Sequence, residues 1–467
     1  MVRVLVSVAL FLALGGGSSA GCGTASAPPG DPNAIALPGQ YVTLYYQRGQ
    51  APCAGTLAYL DANAAALASY LNLPIEAPIP YHYTQDLSVC ASQQALGCAV
   101  PHDGVVSCWA RLPNITHELV HAVQVDSTGD DSPSFLLEGE AVALGQNDRP
   151  DLSDLDASDE ALLSADPLGA VDYGLAGDFV SYLLTRFGPA PFEQTLAALR
   201  PHASVDEIEA TFARQYGGET MADLRADRAA SPVTFYWNRL DLNECKTSAP
   251  DARLGRPGTI SETVDCAGNA YGSPTLGATR HIAFDIGAEG LYQLNVTPQS
   301  GSVIKLETCG GGRVLELSHF LEAPAIIVGH LHPGRYAFVL TVLNPATPVT
   351  FTLGVEPLGL AAPLTCDDVA PVPIPAGTKN VFVFSMDDRV IEVPFVLGAP
   401  AAPVSPISPI FGSFNPLSSA ELCRGGCDVD CQAVSPLVTL PQLPGGATFS
   451  VQATLIGQPD LVGFGLD

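Results

Sequence analysis

The chain has 467 residues, of which 47% are hydrophobic and only 15% charged, which excludes a wholly disordered polypeptide. Asp+Glu number 48 against 20 Lys+Arg, a formal net charge of -28, and a polyanion of this kind is repelled by phosphate backbones, so nucleic acid is excluded as a partner. Twelve cysteines point to an oxidising compartment, and the length allows about three domains.

Residues 1–21 read as a signal peptide. Arg3 supplies the positive start, Val4 to Leu14 is a mostly apolar run too short to span a bilayer, and small residues from Gly15 to Gly21 suit cleavage. The cleavage point has two readings. Ser19-Ala20-Gly21-Cys22 resembles a bacterial lipobox, with Cys22 the lipidated first residue, although Ser19 stands where that motif usually carries Leu. Ordinary cleavage after Ala20 would instead give a secreted chain. Either way the protein is exported, and a membrane enters only through an anchor on Cys22, with residues 22–39 as a Pro- and Gly-rich tether.

Residues 40–240 form the next block. Tyr41 to Tyr46 and Tyr81 to Thr84 read as strands, and Leu57 to Leu71 has the 3.6-residue spacing of a helix. Cys90 to Cys108 reads as a cysteine-dense loop. Helices are expected from Asn114 onward, with Asn114 as cap, and over Pro133 to Leu144, Gly174 to Phe187, Pro191 to Leu199, Val205 to Tyr216 and Met221 to Ala230. The block is therefore expected to be α+β and helix-dominated, with Cys53, Cys90, Cys98 and Cys108 forming up to two disulfides.

The chemistry centres on His117-Glu118-Leu119-Val120-His121, an H-E-x-x-H motif. Positions i and i+4 share a helix face, so both imidazoles can reach one Zn2+, and Glu118 stands beside the open position as general base. Glu138 comes seventeen positions after His121, on a second expected helix, and supplies a third ligand. The order His, His, Glu, with Glu138-Gly139-Glu140-Ala141, resembles the gluzincin metallopeptidases, in which the ligand Glu precedes Gly; this assigns the role to Glu138, while Glu140 is expected on a solvated face. With Tyr173-Gly174-Leu175-Ala176-Gly177-Asp178-Phe179 the likeness extends to the peptidase-MA-like families of exported bacterial lipoproteins and covers about residues 40 to 240. It implies a zincin-like domain, with Tyr173 either a catalytic donor to the oxyanion or a packing residue. The acidic residue of thermolysin-type sites four places after Glu138 is missing, since Val142 stands there. The outer histidine nitrogens then need other acceptors: Asp126, Asp178 or a backbone carbonyl.

Beyond Asn243 short Val, Ile, Phe, Tyr and Thr runs are broken by Gly and Pro, the pattern of all-β sandwiches. Cys309-Gly310-Gly311 and Leu331-His332-Pro333-Gly334 are echoed by Cys423-Arg424-Gly425-Gly426 and Leu443-Pro444-Gly445-Gly446, so two sandwich domains are expected, 243–357 and 363–467, with a Pro-rich insert from Ala399 to Pro416 in the second. The first resembles the pre-peptidase C-terminal domain of secreted bacterial proteases, on the alternation in His281 to Ile286, Leu291 to Val296 and Arg335 to Leu340. That likeness implies a non-catalytic module. His330 and His332 read as a surface pair, since no carboxylate has ligand-like spacing to them, and Asp151 to Glu160 as solvated charge rather than a Ca2+ loop.

Together these residues point to an exported zinc endopeptidase acting on protein or peptide substrates, with Zn2+ on His117, His121 and Glu138. The alternative is an adhesin-like surface lipoprotein that binds without catalysis through a degenerate peptidase fold. An intact Glu118 argues against it, because binding alone does not need that carboxylate.

Overall fold

The structure is a computed structural model. It describes residues 34–90, 95–102, 105–128, 133–145, 173–200, 203–230, 245, 251–297, 301–309, 314–317, 325–343, 345, 347–359, 371–375, 380–385, 389–397, 419–424, 431–433, 448–455 and 460–465. The signal peptide, Cys22, the acidic run from Asp151, the insert from Ala399, His319, Cys366 and Cys427 lie outside these, as do the side chains of His102, Asp126, Cys423 and Cys431. The described residues fall into two compact units, the first drawn from 1–52, 56–231 and 235–238 and the second from 53–55, 232–234 and 239–467.

The first unit is built on a mixed five-stranded sheet in the order β1-β2-β3-β5-β4. Its strands are β1 (Ala34–Pro38), β2 (Val42–Gln47), β3 (Ile79–Tyr83), β4 (Gly97–His102) and β5 (Val105–Ala110). β2, β3 and β5 run parallel, and β1 and β4 flank them antiparallel. Helix α1 (Thr56–Leu71) crosses between β2 and β3. Its Asp61 accepts from the Gln40, Tyr41 and Val42 amides at 2.7–2.8 Å, locking the β1–β2 turn to the helix. The remaining helices are α2 (His117–Thr128), α3 (Ser134–Gly145), α4 (Tyr173–Phe187), α5 (Pro189–Ala198), α6 (Val205–Gln215) and α7 (Met221–Ala230).

This corrects the expectation of a helix-dominated block. The described residues are about 33% helix and 37% strand, and the fold is mixed α/β. Three strands are hidden in the sequence for physical reasons. β1 lies in the expected tether, where Ala and Pro mask an edge strand. β4 and β5 form a hairpin within the expected cysteine loop; Val106 to Ala110 are all buried, so the inside–outside alternation that marks a half-buried strand is absent.

In the second unit two sheets pack on one another. One has the order β11-β10-β13-β8-β7, from β7 (Tyr271–Ser273), β8 (Gly277–Ile286), β10 (Ser302–Thr308), β11 (Val314–Glu316) and β13 (Gly334–Val342). The other has the order β21-β16-β12-β9-β14-β6, from β6 (Ile260–Val264), β9 (Gly290–Val296), β12 (Ala325–Leu331), β14 (Val349–Gly359), β16 (Asn380–Ser385) and β21 (Asp460–Gly465). A third sheet, β15-β17-β20-β18-β19, spans Val372–Ile374, Arg389–Leu397, Thr448–Leu455, Ser419–Arg424 and Cys431–Ala433. The boundary expected between 357 and 363 falls inside a shared sheet: β16 pairs with β12 in parallel, and its Phe382 and Phe384 join the core that holds Leu294, Phe338 and Phe351.

The cysteine pairing also departs from expectation. Cys90 bonds Cys98, but Cys53 bonds Cys266, and the segment 53–55 adds three backbone hydrogen bonds to Cys266, Ala270 and Gly272, which places it in the second unit. Cys245 bonds Cys309, and Cys108 is a free, buried thiol. The three disulfides fit an extracellular, oxidising setting. Among the described residues no helix is long and apolar enough to cross a membrane.

Candidate metal centre

Helix α2 is held against the sheet before its first turn. The fully buried Tyr81 hydroxyl on β3 accepts from the Ile115 amide at 3.1 Å and lies within donating distance of the Leu112 and Ile115 carbonyls. The helix begins at His117, not at Asn114: the amides of Leu119 and Val120 point back to the Thr116 carbonyl, and the Thr116 hydroxyl donates to the Gly145 carbonyl at the end of α3. The Cys108 thiol donates to the Glu118 carbonyl at 3.2 Å, and burial pushes that thiol well above its usual range, so it is a packing group and not a nucleophile.

Close packing then sets the positions of α3 and α4. A Cβ at Gly139 would stand 2.6 Å from Val180 and 2.7 Å from the Ala176 carbonyl, and one at Gly177 would run into Val142. Gly145 approaches the backbone of His117 so closely that a Cβ would lie 2.6 Å from its Cα. Gly139 and Gly177, of the Glu-Gly and Ala-Gly motifs, are thus spacers between α3 and α4, and Gly145 is the spacer between α3 and α2.

The outcome is a triangle of ligand atoms. His117 Nε2 lies 3.1 Å from Glu138 Oε2, His121 Nε2 lies 3.3 Å from the same oxygen, and the two Nε2 atoms are 3.2 Å apart. All three residues are 8% exposed. Zinc bonds these donors at about 2.0–2.2 Å, and donors on a tetrahedral ion then stand roughly 3.3 Å apart. The triangle fits that spacing, and three donor atoms converging in this way is the arrangement a bound ion requires. Glu118 also presents an oxygen within 4.8 Å of both imidazole ligand atoms.

Burial works to raise the Glu138 carboxyl, but the charges and hydrogen bonds of His121 and His117 outweigh it and hold the group well below the usual carboxylate range. Glu118 moves the other way: burial raises it, and the two histidines only partly offset this. The two carboxylates thereby divide into a charged ligand and a group closer to protonation. Glu118 rests against Gly97 of the edge strand β4, where a Cβ would stand 2.8 Å from Oε1; spacing in the sequence gives no sign of this neighbour. Tyr173 opens α4 with its ring 6.1 Å from that of His117, and burial followed by the charges of Glu138 and Glu118 keeps its phenol protonated.

One further expectation is corrected here. Glu140 is not solvated but fully buried: α3 is covered on every side, Gln124 donates to Glu140, and burial together with Glu193 raises its carboxyl well above the usual range. Asp178 pairs with Arg228 at 2.7 Å. His117 Nδ1 is buried and has no acceptor among the described residues.

No family model matches the chain, and no curated protein does. Among solved structures, tripeptidyl peptidase 2 aligns over 46% of this chain and 24% of its own at 11% identity, with a TM-score of 0.15. A Cupin 2 conserved barrel domain protein from Leptotrichia buccalis aligns over 45% and 88% at 11% identity and a TM-score of 0.12. A salicylate 1,2-dioxygenase from Pseudaminobacter salicylatoxidans aligns over 41% and 71% at 8% identity and a TM-score of 0.11. The chain spans about a quarter of the length of the first of these, and likeness at this level carries no argument. The functional reading rests on the site alone.

Proposed function

We propose that the chain is an exported zinc endopeptidase of gluzincin type, with His117, His121 and Glu138 holding the metal. The observation that carries the reading is the ligand triangle of 3.1–3.3 Å edges with Glu118 beside it. Zinc, when bound, supplies Lewis-acid polarisation of a carbonyl and a lowered pKa for water. Glu118 takes the water proton and returns it to the leaving amine. Tyr173, protonated at the rim of the site, donates to the developing oxyanion. β4 ends the described sheet next to Glu118, and in this reading an extended peptide substrate pairs with its outer edge; backbone pairing of this kind accepts many sequences. The disulfides support export, and anchoring through Cys22 belongs to the same reading.

The test is metal analysis with proteolysis. Wild type should carry zinc that His121→Ala loses at this site. Glu118→Ala should keep the zinc and lose casein or gelatin cleavage by about 10²–10⁴-fold. Equal inertness of wild type and Glu118→Ala across a broad peptide library would return the chain to the surface-binding reading.

A further inference from the structure

The second unit carries another group of metal-ligating side chains, made by strand register. His330 lies at the end of β12, and His332 stands one residue beyond the strand. β9 runs antiparallel to β12 with Leu291 opposite His330 and Gly290 opposite Leu331, so the next step of the register sets Glu289 opposite His332. The Glu289 carboxylate spans the pair: Oε1 is 3.2 Å from His330 Nε2 and Oε2 is 3.6 Å from His332 Nδ1. The two imidazoles meet edge to face with centroids 4.9 Å apart, and one donor atom from each of the three residues lies within 4.8 Å of the others.

Both turns that present these ligands are braced from the core. The buried Tyr336 takes a hydrogen bond from the His332 amide at 3.1 Å and gives one to the His332 carbonyl at 3.0 Å, while its ring stacks on Phe284. The buried Tyr292 donates to the Ala288 carbonyl at 2.7 Å, one residue before Glu289. Two independent tyrosine clamps therefore hold the ligand-bearing backbone in place, which lowers the ordering cost of closing a ring around an ion.

We propose that Glu289, His330 and His332 form a second metal site, selective for zinc and related first-row divalent ions. Two imidazoles and one carboxylate are the donor set of such ions, whereas Ca2+ and Mg2+ take oxygen ligands. Each carboxylate oxygen faces one imidazole nitrogen, at 3.2 and 3.6 Å, so small side-chain rotations bring one oxygen and both nitrogens to the roughly 3.3 Å separations of a tetrahedral ion. Exposure settles the character of the site. The His330 side chain is 4% exposed, but Glu289 is 30% and His332 37% exposed, so the ion faces solvent on one side and exchanges freely. It would clip the start of β9 to the β12–β13 turn and tie the stability of this unit to external metal.

The site is independent of the gluzincin reading, and the test keeps them apart. The full-length His117→Ala/His121→Ala variant is stripped with chelator and titrated with zinc chloride, and with cobalt chloride for its visible absorption. One equivalent of metal should bind, with a cobalt spectrum of mixed nitrogen and oxygen ligation. Adding His332→Ala, at an exposed position, should remove that equivalent, and Glu289→Gln should weaken it at least about tenfold. His332→Ala in the otherwise unchanged chain serves as a second measure and should lower total zinc by one equivalent with an unaltered circular dichroism spectrum. A folded His117→Ala/His121→Ala chain that binds no metal, or metal that survives His332→Ala, overturns the proposal.

Discussion

Gly145→Ala tests whether the zinc triangle depends on how closely α3 meets α2. The added methyl would stand 2.6 Å from His117 Cα and 2.7 Å from its amide nitrogen, against about 3.4 Å for ordinary contact. These neighbours are backbone atoms, so no side chain can swing aside, and the helices must part by about 0.8 Å. Alanine gains up to about 1 kcal/mol in helix propensity, but overpacking costs about 1–3 kcal/mol, so the net effect is destabilising. At roughly 2–4 °C per kcal/mol the first unit should melt several degrees lower. The metal effect is larger, because ligand distances tolerate only about ±0.2 Å and the shift separates His117 from Glu138. Zinc affinity, read by competition with a chromophoric chelator, should fall at least about tenfold. A variant with unchanged melting temperature and unchanged zinc affinity would refute the packing argument.

Three further perturbations probe other parts of the first unit. Gly97→Ala pushes on Glu118 without touching a metal ligand, since the new methyl meets Oε1 at 2.8 Å and Cγ at 2.9 Å; hydrolysis should drop more than about tenfold while zinc content by mass spectrometry stays the same. Arg228→Met removes one ion-pair partner of the 2%-exposed Asp178 carboxylate and should cost about 1–3 kcal/mol in urea unfolding; an unchanged stability would contradict it. His82 is stacked between Tyr45 and Trp109, and burial pushes it down to about 4 from 6.5. It is neutral in the fold but protonated in the unfolded chain below pH 6.5, so its stabilisation is complete above that pH and is lost as pH falls toward 4. Between pH 7 and 5 this should remove on the order of 1 kcal/mol, and His82→Phe, which keeps the stack, should flatten that part of the pH dependence of urea unfolding.

How much of the molecule can be read from its sequence depends on contact range. α2 and α3 lie within thirty residues of chain, and helical periodicity puts His117 and His121 on one face; Glu138 is singled out from Glu140 by the Glu-Gly resemblance to gluzincins rather than by spacing. Cys53–Cys266 closes a separation of 213 residues, and no local pattern reports a pairing of that kind. The β4–β5 hairpin escapes because complete burial of Val106 to Ala110 erases the two-residue period, the same reason that buried parallel strands read as continuous apolar runs. Glu140 escapes for a related reason. A helix angle of about 200° from Glu138 points to solvent only if one face of α3 is free, and none is.

The two histidine–carboxylate clusters divide along the same line. In the first, two ligands sit one helical turn apart, so periodicity joins them, while the third lies on a neighbouring helix and is brought in by the close packing at Gly145. In the second, His330 and His332 share a strand face by their two-residue spacing, but the carboxylate that completes them is chosen by the β9–β12 register, and shifting that register by one residue would turn Glu289 to the opposite face. The tyrosines at 292 and 336 matter for this reason as well: by fixing the Ala288 carbonyl and the His332 backbone they hold the register at its open end, where a ladder without further hydrogen bonds is free to fray. Replacing either with Phe removes one clamp and keeps the ring packing, so the metal affinity of the second site should weaken while the core is left in place.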